Sequence, residues 1–111
     1  MTNFCKYDVV VVKFPFASSL KYKARPAIVI SSSIYNRDER GTALILAISS
    51  QIGSKLNFEI KVKDWKDAGL LKESIFKSAI ATIEQESIIK KLGILSQSDR
   101  DNLDRLLETI C

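Results

Sequence analysis

Histidine is absent from the 111-residue sequence, and only two cysteines occur, Cys5 and Cys111, near opposite ends of the chain. The cysteines form no CxxC pair and have no histidine with which to complete an ordinary zinc site. A nucleophilic triad that uses histidine as its base is excluded as well. We therefore expect no metal and no cofactor, so any chemistry must depend on other side chains.

Long apolar runs are also lacking. No run approaches the roughly 18 residues of a membrane-spanning helix, and the N-terminus has Asn3, Lys6 and Asp8 where a signal peptide would have its apolar core. These features predict a protein without membrane association in a reducing, cytoplasmic compartment. The length suits a single domain, residues 1–111, with one hydrophobic core.

Acidic residues are in the minority, with 13 Asp and Glu against 17 Lys and Arg and a net charge of +4. The excess is N-terminal, since residues 1–50 contain seven cations and three anions whereas residues 51–111 contain ten of each. A local excess of this size suits RNA or another polyanion without establishing it.

Three of these cations, Lys21, Lys23 and Arg25, stand on alternate residues directly before Pro26. In an extended segment alternate side chains share one face, so the three can line a surface that attracts phosphate. Pro26 also favours extended backbone at Arg25. Taken alone, the segment is better explained as a solvated loop whose charges keep the protein soluble.

Short apolar segments dominate the chain up to about residue 83 and predict β-strands. The first contains four consecutive valines, so it should be buried on both faces. The polar, basic segment Ala17–Ala24 predicts a mobile loop. The predicted strands are Tyr7–Phe16, Pro26–Ser32, Ala43–Ser49, Asn57–Val62, Ser74–Lys77 and Ala79–Ile83.

The remaining segments predict helical structure. Asp64 is a candidate cap for a short helical turn that ends at Gly69. The segment Glu86–Leu92 is expected to form one or two helical turns, with Gly93 as the C-terminal cap. In and directly after the turn at Asp64, the residues Trp65, Leu70 and Leu71 are expected in the core.

A last helix is predicted after Ser96, which has Asp99 three residues on in a capping pattern. Its apolar face repeats at helical spacing, so one face should pack on the sheet while the Asp and Arg side chains face solvent. The apolar positions are Leu103, Leu106, Leu107 and Ile110. Strands followed by helices predict a small α+β domain or a β-barrel closed by helices.

In order and spacing, these segments resemble the MazF/PemK toxins of type II toxin–antitoxin modules, from Tyr7 to about Ile110. No single segment is specific, but their succession is. The similar segments are the opening strand YDVVVVKFPF, the Arg-Pro strand KYKARPAIVIS, the polar strand end LAISSQ, and the C-terminal segments DWKDAGLLKES and TIEQESIIKKLGILSQSD.

The resemblance implies a mainly β fold with C-terminal helices, an SH3-like β-barrel that forms a homodimer. It implies binding of single-stranded RNA in a groove at the dimer interface, cleavage without metal or ribosome, and neutralisation by a cognate antitoxin. The family's catalytic pair falls on Arg25 and Ser49. RNA contacts are assigned to the basic segment and to the polar strand end, at Lys21, Lys23, Ser50 and Gln51.

The sequence departs from the family pattern at three positions. Ser49 replaces the usual threonine but keeps the hydroxyl. Ala79 and Ala81 stand where charged residues are common in the family.

RNA cleavage by this pair is chemically reasonable without histidine, because RNA supplies its own nucleophile in the 2′-OH. Arg25 offers a planar fork of donors to the phosphate, and Ser49 offers one hydrogen-bonding hydroxyl. The group that accepts the 2′-OH proton is left open among Asp8, Glu59 and Glu73.

Two other functions remain open. The chain resembles, in fold class, the CcdB toxins, which bind DNA gyrase and cleave nothing, and it can also be a silent RNA-binding or structural barrel. The Arg25 and Ser49 pair discriminates, because a ribonuclease needs it and a gyrase-binding protein does not.

Overall fold

The computed structural model of the chain describes residues 4–15, 22–32, 41–49 and 60–110. The elements within these ranges are β1 Asp8–Pro15, β2 Tyr22–Val29, β3 Thr42–Ser49, β4 Ile60–Lys61, β5 Ile75–Glu84, a 3-10 turn at Gln85–Ser87, β6 Ile88–Ile94 and the helix α1 Gln97–Ile110. The strands form one sheet in the order β4-β5-β3-β2-β1-β6, with every pairing antiparallel. The predicted mainly β fold with C-terminal helical structure is confirmed. In the described ranges, no helix has the length and apolar character needed to cross a membrane.

The strand β2 begins earlier than predicted. Residues Tyr22 to Ala24, expected in a mobile loop, belong to the strand, because β1 pairs with β2 continuously from Val9 opposite Ile28 to Pro15 opposite Tyr22. Hydrogen bonding to a neighbouring strand does not require apolar side chains, so the polar composition of this segment was misleading. The rest of the predicted loop, residues 17–21, lies outside the described residues.

The segments Ser74–Lys77 and Ala79–Ile83, predicted as two strands, form the single strand β5. It pairs with β3 from Thr42 opposite Glu84 to Ser49 opposite Ile75. The pairing shifts register between Leu46 and Ile48 of β3. Such a shift lets a strand continue through an irregular point, so one strand forms where two were expected. Of the predicted strand Asn57–Val62, the structure describes β4 and the residues after it.

The prediction of helical turns at Glu86–Leu92 is wrong. Only the 3-10 turn at Gln85–Ser87 is helical, and the chain then continues as β6 through Gly93, which caps nothing. The reason lies in β1, which is apolar on both faces and pairs with β6 on the edge opposite to β2. Tertiary pairing therefore overrides the local helical pattern of this segment.

Both faces of β1 are buried, as its valines predict. Val9 packs in a cluster that contains Leu103 and Leu106 of α1, with no exposed surface on Val9 or Leu103. Val10 and Val12 pack on the other face in a second apolar cluster. The predicted apolar face of α1 is confirmed at Leu103 and Leu106, and the core lies on both sides of the central strands.

The segment between β4 and β5 forms hydrogen-bonded turns, in line with the short helical turn predicted to end at Gly69, whose φ is +87°. Backbone hydrogen bonds run from the Ala68 amide to the Asp64 carbonyl (3.1 Å) and from the Leu70 amide to the Trp65 carbonyl (3.0 Å). Leu70 is buried and Trp65 packs against the core, as expected. Leu71 is 93% exposed, which contradicts its predicted place in the core.

Tyr7, directly before β1, is hydrogen-bonded to β2, to the residue that follows β6 and to α1. Its amide donates to the Val29 carbonyl (2.8 Å), its carbonyl accepts from the Leu95 amide (3.1 Å), and its phenol donates to the Asp104 carboxylate (2.8 Å). Burial raises the pKa of Tyr7, and the hydrogen bond to Asp104 raises it further. These contacts compensate for a φ of +79°, which is unfavourable for a side chain of this size.

Asp99 is fully buried, although the Asp side chains of this helix were predicted to face solvent. The predicted capping pattern is present, since the Asp99 amide donates to the Ser96 hydroxyl at 3.3 Å. The Asp99 carboxylate accepts hydrogen bonds from the amides of Lys63 (2.8 Å) and Asp64 (2.9 Å). It therefore ties the start of α1 to the turn segment before β5.

Replacing Asp99 by alanine is expected to lower the free energy of unfolding by about 2 to 4 kcal/mol, because two amides lose a charged acceptor. Urea unfolding followed by circular dichroism measures the change. The matched control is Asp101→Ala on the exposed side of the same helix, where Asp101 accepts a hydrogen bond from the Gln97 side chain. Its expected effect is within about 0.5 kcal/mol, and similar losses for both variants would contradict the assignment.

Candidate functional site

A cleft of about 530 Å³ opens where β1, β2 and β3 meet the segment before β5. Its apolar lining comes from Val11, Pro26, Ile48, Leu70 and Leu92. This volume lies within the usual range for ligand sites, which combine an apolar lining with a few polar groups.

The polar groups of the cleft are cations and hydroxyls. They are Arg25, Lys72 and Lys90, with Ser49 and Ser74. No carboxylate lines the cleft among the described residues, and none of the three cations forms an ion pair there. Unneutralised cations at an apolar cleft create a positive potential that attracts anions.

Arg25 and Ser49, the predicted catalytic pair, both line this cleft. The strands β2 and β3 are paired from Val29 opposite Ile45 to Ala27 opposite Ala47, and Arg25 and Ser49 each lie two residues beyond the last of these pairs. Arg25 is exposed and Ser49 is partly buried. The fold therefore brings together two residues that lie 24 positions apart in the sequence.

Pro26 stands at the point where β2 loses its second neighbour. The pairing of β2 with β3 covers Ala27 to Val29 and stops next to Pro26, whereas the pairing with β1 continues to Tyr22. Proline has no amide hydrogen to donate to a neighbouring strand. Its place next to the end of this pairing is consistent with a gap between the two strands, beside Arg25.

The wall of the cleft formed by residues 69–74 is held against β6 by two close backbone approaches. At Gly69 an added Cβ would overlap the Leu92 carbonyl, and at Gly93 it would lie 2.6 Å from the Ala68 carbonyl oxygen. The Ser74 hydroxyl donates to the Lys72 carbonyl at 2.9 Å, which orders the backbone that carries Lys72. The wall is thus built from backbone contacts that only glycine permits.

Of the predicted RNA-binding residues, Lys23 has its backbone on β2 opposite Phe14. Ala81, one of the two alanines noted in the sequence, lies exposed on β5. Lys21, Ser50 and Gln51 lie outside the described residues.

Two of the three candidate proton acceptors, Asp8 and Glu73, do not line the cleft. Asp8 is buried and is engaged by the Cys5 amide (2.9 Å) and by Lys91 (3.3 Å). Glu73 is exposed and does not line the cleft. Glu59 lies outside the described residues.

Lys72, Ser74 and Lys90 are members of the cleft that sequence reasoning missed. Lys72 and Ser74 flank Glu73 next to the predicted start of a strand, and Lys90 lies in a segment that was predicted to form helical turns. If Ile88–Ile94 had been recognised as a strand, its alternation would have placed Lys90 and Lys91 on opposite faces. The contact between this segment and residues 69–74 has no signal in the sequence.

The cleft can bind a phosphate and stabilise negative charge, because guanidinium and ammonium groups form strong, charge-assisted hydrogen bonds with phosphate oxygens. It offers no cluster of metal ligands, and within the described ranges no three Cys, Asp or Glu side chains lie close enough to hold a metal ion.

The sequence matches the model of one protein family over residues 6–111, namely the PemK-like, MazF-like toxin of type II toxin–antitoxin systems. A search of curated proteins found no significant match.

Solved structures of similar fold include MazE–MazF from Deinococcus radiodurans, with a TM-score of 0.76, 17% identity, and coverage of 99% of this chain and 94% of that chain. The Mycobacterium tuberculosis toxin MazF-mt6 has a TM-score of 0.71 and 19% identity, with 93% and 94% of the two chains covered. An endoribonuclease in complex with its cognate antitoxin, from a mycobacterial species, has a TM-score of 0.75 and 14% identity, with 99% and 94% covered. These likenesses establish the fold.

The close packing of the cleft wall against β6 can be tested by substituting Gly69. Gly69→Ala should lower the free energy of unfolding by about 2 to 5 kcal/mol, because a φ of +87° is strained for alanine and the methyl group overlaps the Leu92 carbonyl. Gly41→Ala is the matched control, since Gly41 has a φ of +80° and open space around its Cβ position. It should cost only about 1 to 2 kcal/mol. Equal losses in urea unfolding would show that the close approach contributes nothing.

Proposed function

The chain belongs to the PemK-like, MazF-like toxin family of type II toxin–antitoxin systems, and on that premise we propose that it is an endoribonuclease that cleaves single-stranded RNA. The observation that supports this most is the meeting of Arg25 and Ser49 at a cleft that contains three cations and, among the described residues, no carboxylate. Such a cleft suits a polyanionic substrate.

The proposed reaction uses the RNA 2′-OH as nucleophile. The 2′-oxygen forms a bond to the adjacent phosphorus and loses its proton, while the bond from phosphorus to the 5′-oxygen breaks and that oxygen gains a proton. The products are a 2′,3′-cyclic phosphate and a free 5′-hydroxyl. Protein groups must align the attack and stabilise the charge that grows on the phosphorane oxygens.

Arg25 is proposed to stabilise the phosphorane, because its planar guanidinium can donate two parallel hydrogen bonds to non-bridging oxygens. Ser49, across the end of the neighbouring strand, is proposed to hydrogen-bond the same phosphate and hold it in line. Arg25 and Ser49 thus supply positioning and electrostatic stabilisation. Among the described residues no carboxylate lines the cleft, and the group that accepts the 2′-OH proton stays unassigned.

The proposal includes a homodimer and a cognate antitoxin. Two of the similar structures are a MazE–MazF assembly and an endoribonuclease with its cognate antitoxin. An extended antitoxin segment with acidic residues and a few apolar anchors would match the cations and apolar lining of the cleft.

Arg25→Ala is expected to abolish cleavage of a long single-stranded RNA in excess chelator, because it removes the proposed phosphorane contact. Arg25→Lys should restore little, since an ammonium group cannot make the bidentate contact. The control is Arg105→Ala, an exposed arginine of α1 outside the cleft. Because Arg25 is exposed, its variants should unfold at the parental urea midpoint. Parental cleavage by Arg25→Ala would remove Arg25 from the mechanism.

Ser49→Ala should slow cleavage about tenfold to a hundredfold, the equivalent of losing one hydrogen bond to a charged phosphate, roughly 1.5 to 3 kcal/mol. Ser49→Thr keeps the hydroxyl and should retain activity. The measurement is the single-turnover cleavage rate of the three proteins on one RNA. Equal rates for serine, threonine and alanine would exclude the hydroxyl from the reaction.

Light scattering should give a mass near 25 kDa, twice the 12.5-kDa chain, because strand edges and apolar surfaces are better covered in a dimer. A monomer at micromolar concentration would contradict the dimer.

An acidic peptide encoded beside this gene should compete with RNA for the protein, and added salt should weaken both interactions. A parent protein that binds the peptide but cleaves no RNA would favour the non-catalytic, CcdB-like alternative.

A further inference from the structure

Two cations of the cleft have no part in the mechanism above. Lys72 lies in the segment before β5, and Lys90 lies on β6 opposite Val11. The two meet the same cleft because Gly69 and Gly93 let the segment 68–72 pack directly on β6.

Within the described ranges, neither lysine side chain is engaged in an ion pair or a ring contact. Other lysines of the chain do have such contacts. Lys91 pairs with Asp8 at 3.3 Å, Lys6 pairs with Asp104 at 3.7 Å, and Lys66 lies over the Trp65 ring at 5.4 Å. Lys72 and Lys90 have no ion pair or ring contact in the described part of the chain, yet both line a cleft that lacks carboxylates there. Cations gathered without a counter-charge repel one another, and a bound anion relieves that repulsion.

The two lysines and Arg25 approach the cleft from different sides. Arg25 lies opposite Val12 on one edge of β1, and Lys90 lies opposite Val11 on the other edge. Their backbones are therefore two strand spacings apart, roughly 10 Å. This separation suits two phosphates of one strand better than a single shared phosphate.

We propose that Lys72 and Lys90 form a second phosphate site, which binds the phosphate next to the scissile one while Arg25 and Ser49 hold the scissile phosphate. This assignment rests on the proposed function, since it takes single-stranded RNA as the ligand. The polar atoms that the described lining side chains offer are ammonium, guanidinium and hydroxyl groups, all of which donate to phosphate oxygens. The second site fixes the register of the strand and so adds binding affinity rather than transition-state stabilisation.

The salt dependence of binding counts these contacts directly. The probe is a single-stranded RNA with fluorine in place of every 2′-hydroxyl, which keeps the phosphates and lacks the nucleophile. For a single strand, each phosphate contact contributes about 0.7 to the slope of log K against log salt. The Lys72→Ala, Lys90→Ala double variant should reduce the slope by about that amount, each single variant by part of it, and Lys90→Arg should retain the parental slope. Lys63→Ala, an exposed lysine outside the cleft lining, should leave the slope unchanged.

Kinetics separate a binding role from a catalytic one. Lys72→Ala and Lys90→Ala should raise KM with kcat nearly unchanged, as expected for loss of uniform binding. Once the cleavage position of the parent is mapped, a neutral methylphosphonate can replace each neighbouring phosphate in turn. At one of these positions it should weaken binding by the parent and have no further effect on the Lys72→Ala, Lys90→Ala double variant, because the same contact is already lost.

The possible outcomes distinguish this inference from the proposed function. Cleavage by the parent with an unchanged salt slope in the double variant overturns the second site and leaves the ribonuclease proposal standing. Reduced slopes in a parent that binds RNA but never cleaves it support the second site and overturn the catalytic proposal. An unchanged slope with weaker binding of a poly-glutamate peptide would assign the lysines to an acidic polypeptide and overturn the phosphate site. A parent with no affinity for the fluorinated RNA overturns both.

Discussion

The buried carboxylate of Asp99 is the interaction on which the placement of the cleft depends. It belongs to the first turn of α1, yet it binds the amides of Lys63 and Asp64, more than 30 residues earlier in the chain. A charged acceptor without exposed surface is stable only when its oxygens are hydrogen-bonded, so the contact fixes helix and turn relative to each other. The turn then runs to Gly69, whose approach to β6 sets the wall that carries Lys72. The helix therefore shapes the cleft although none of its described residues lines it.

The strand β1 imposes the second constraint. A strand with valines on both faces must be covered on both sides and paired on both edges, and β2, β6 and the two apolar clusters meet these requirements. The pairing on one edge places Arg25, and the pairing on the other edge places Lys90. The strand β1 thus determines where Arg25 and Lys90 lie, one on each of its edges, and their separation follows from strand spacing.

Much of the fold and part of the site could be predicted from local sequence. The valine run, the strand Thr42–Ser49 and the capped last helix each carry a strong local pattern, and the Arg25 and Ser49 pair followed from resemblance to a family. The segment Glu86–Leu92 was mistaken because a short run of apolar and charged residues fits a helical turn as well as a strand, and only the edge of β1 decides between them. The burial of Asp99 and the exposure of Leu71 depend on partners distant in sequence. For the same reason Lys72 and Lys90 could not be assigned to the cleft, since the contact that joins their segments is made by backbone atoms at two glycines.

The charge of the cleft links the proposed activity to its proposed control. Without histidine in the chain or a carboxylate in the described lining, the cleft has cations and hydroxyls as its polar groups. Groups of this kind bind a phosphate backbone and stabilise a phosphorane, and they bind the acidic side chains of a polypeptide by the same electrostatic attraction. A carboxylate placed in the cleft as a base would weaken both interactions at once by neutralising a cation. Under the proposed function, the positive potential that would attract RNA to the cleft would also attract an acidic antitoxin, so the proposed inhibition requires no second site on the protein.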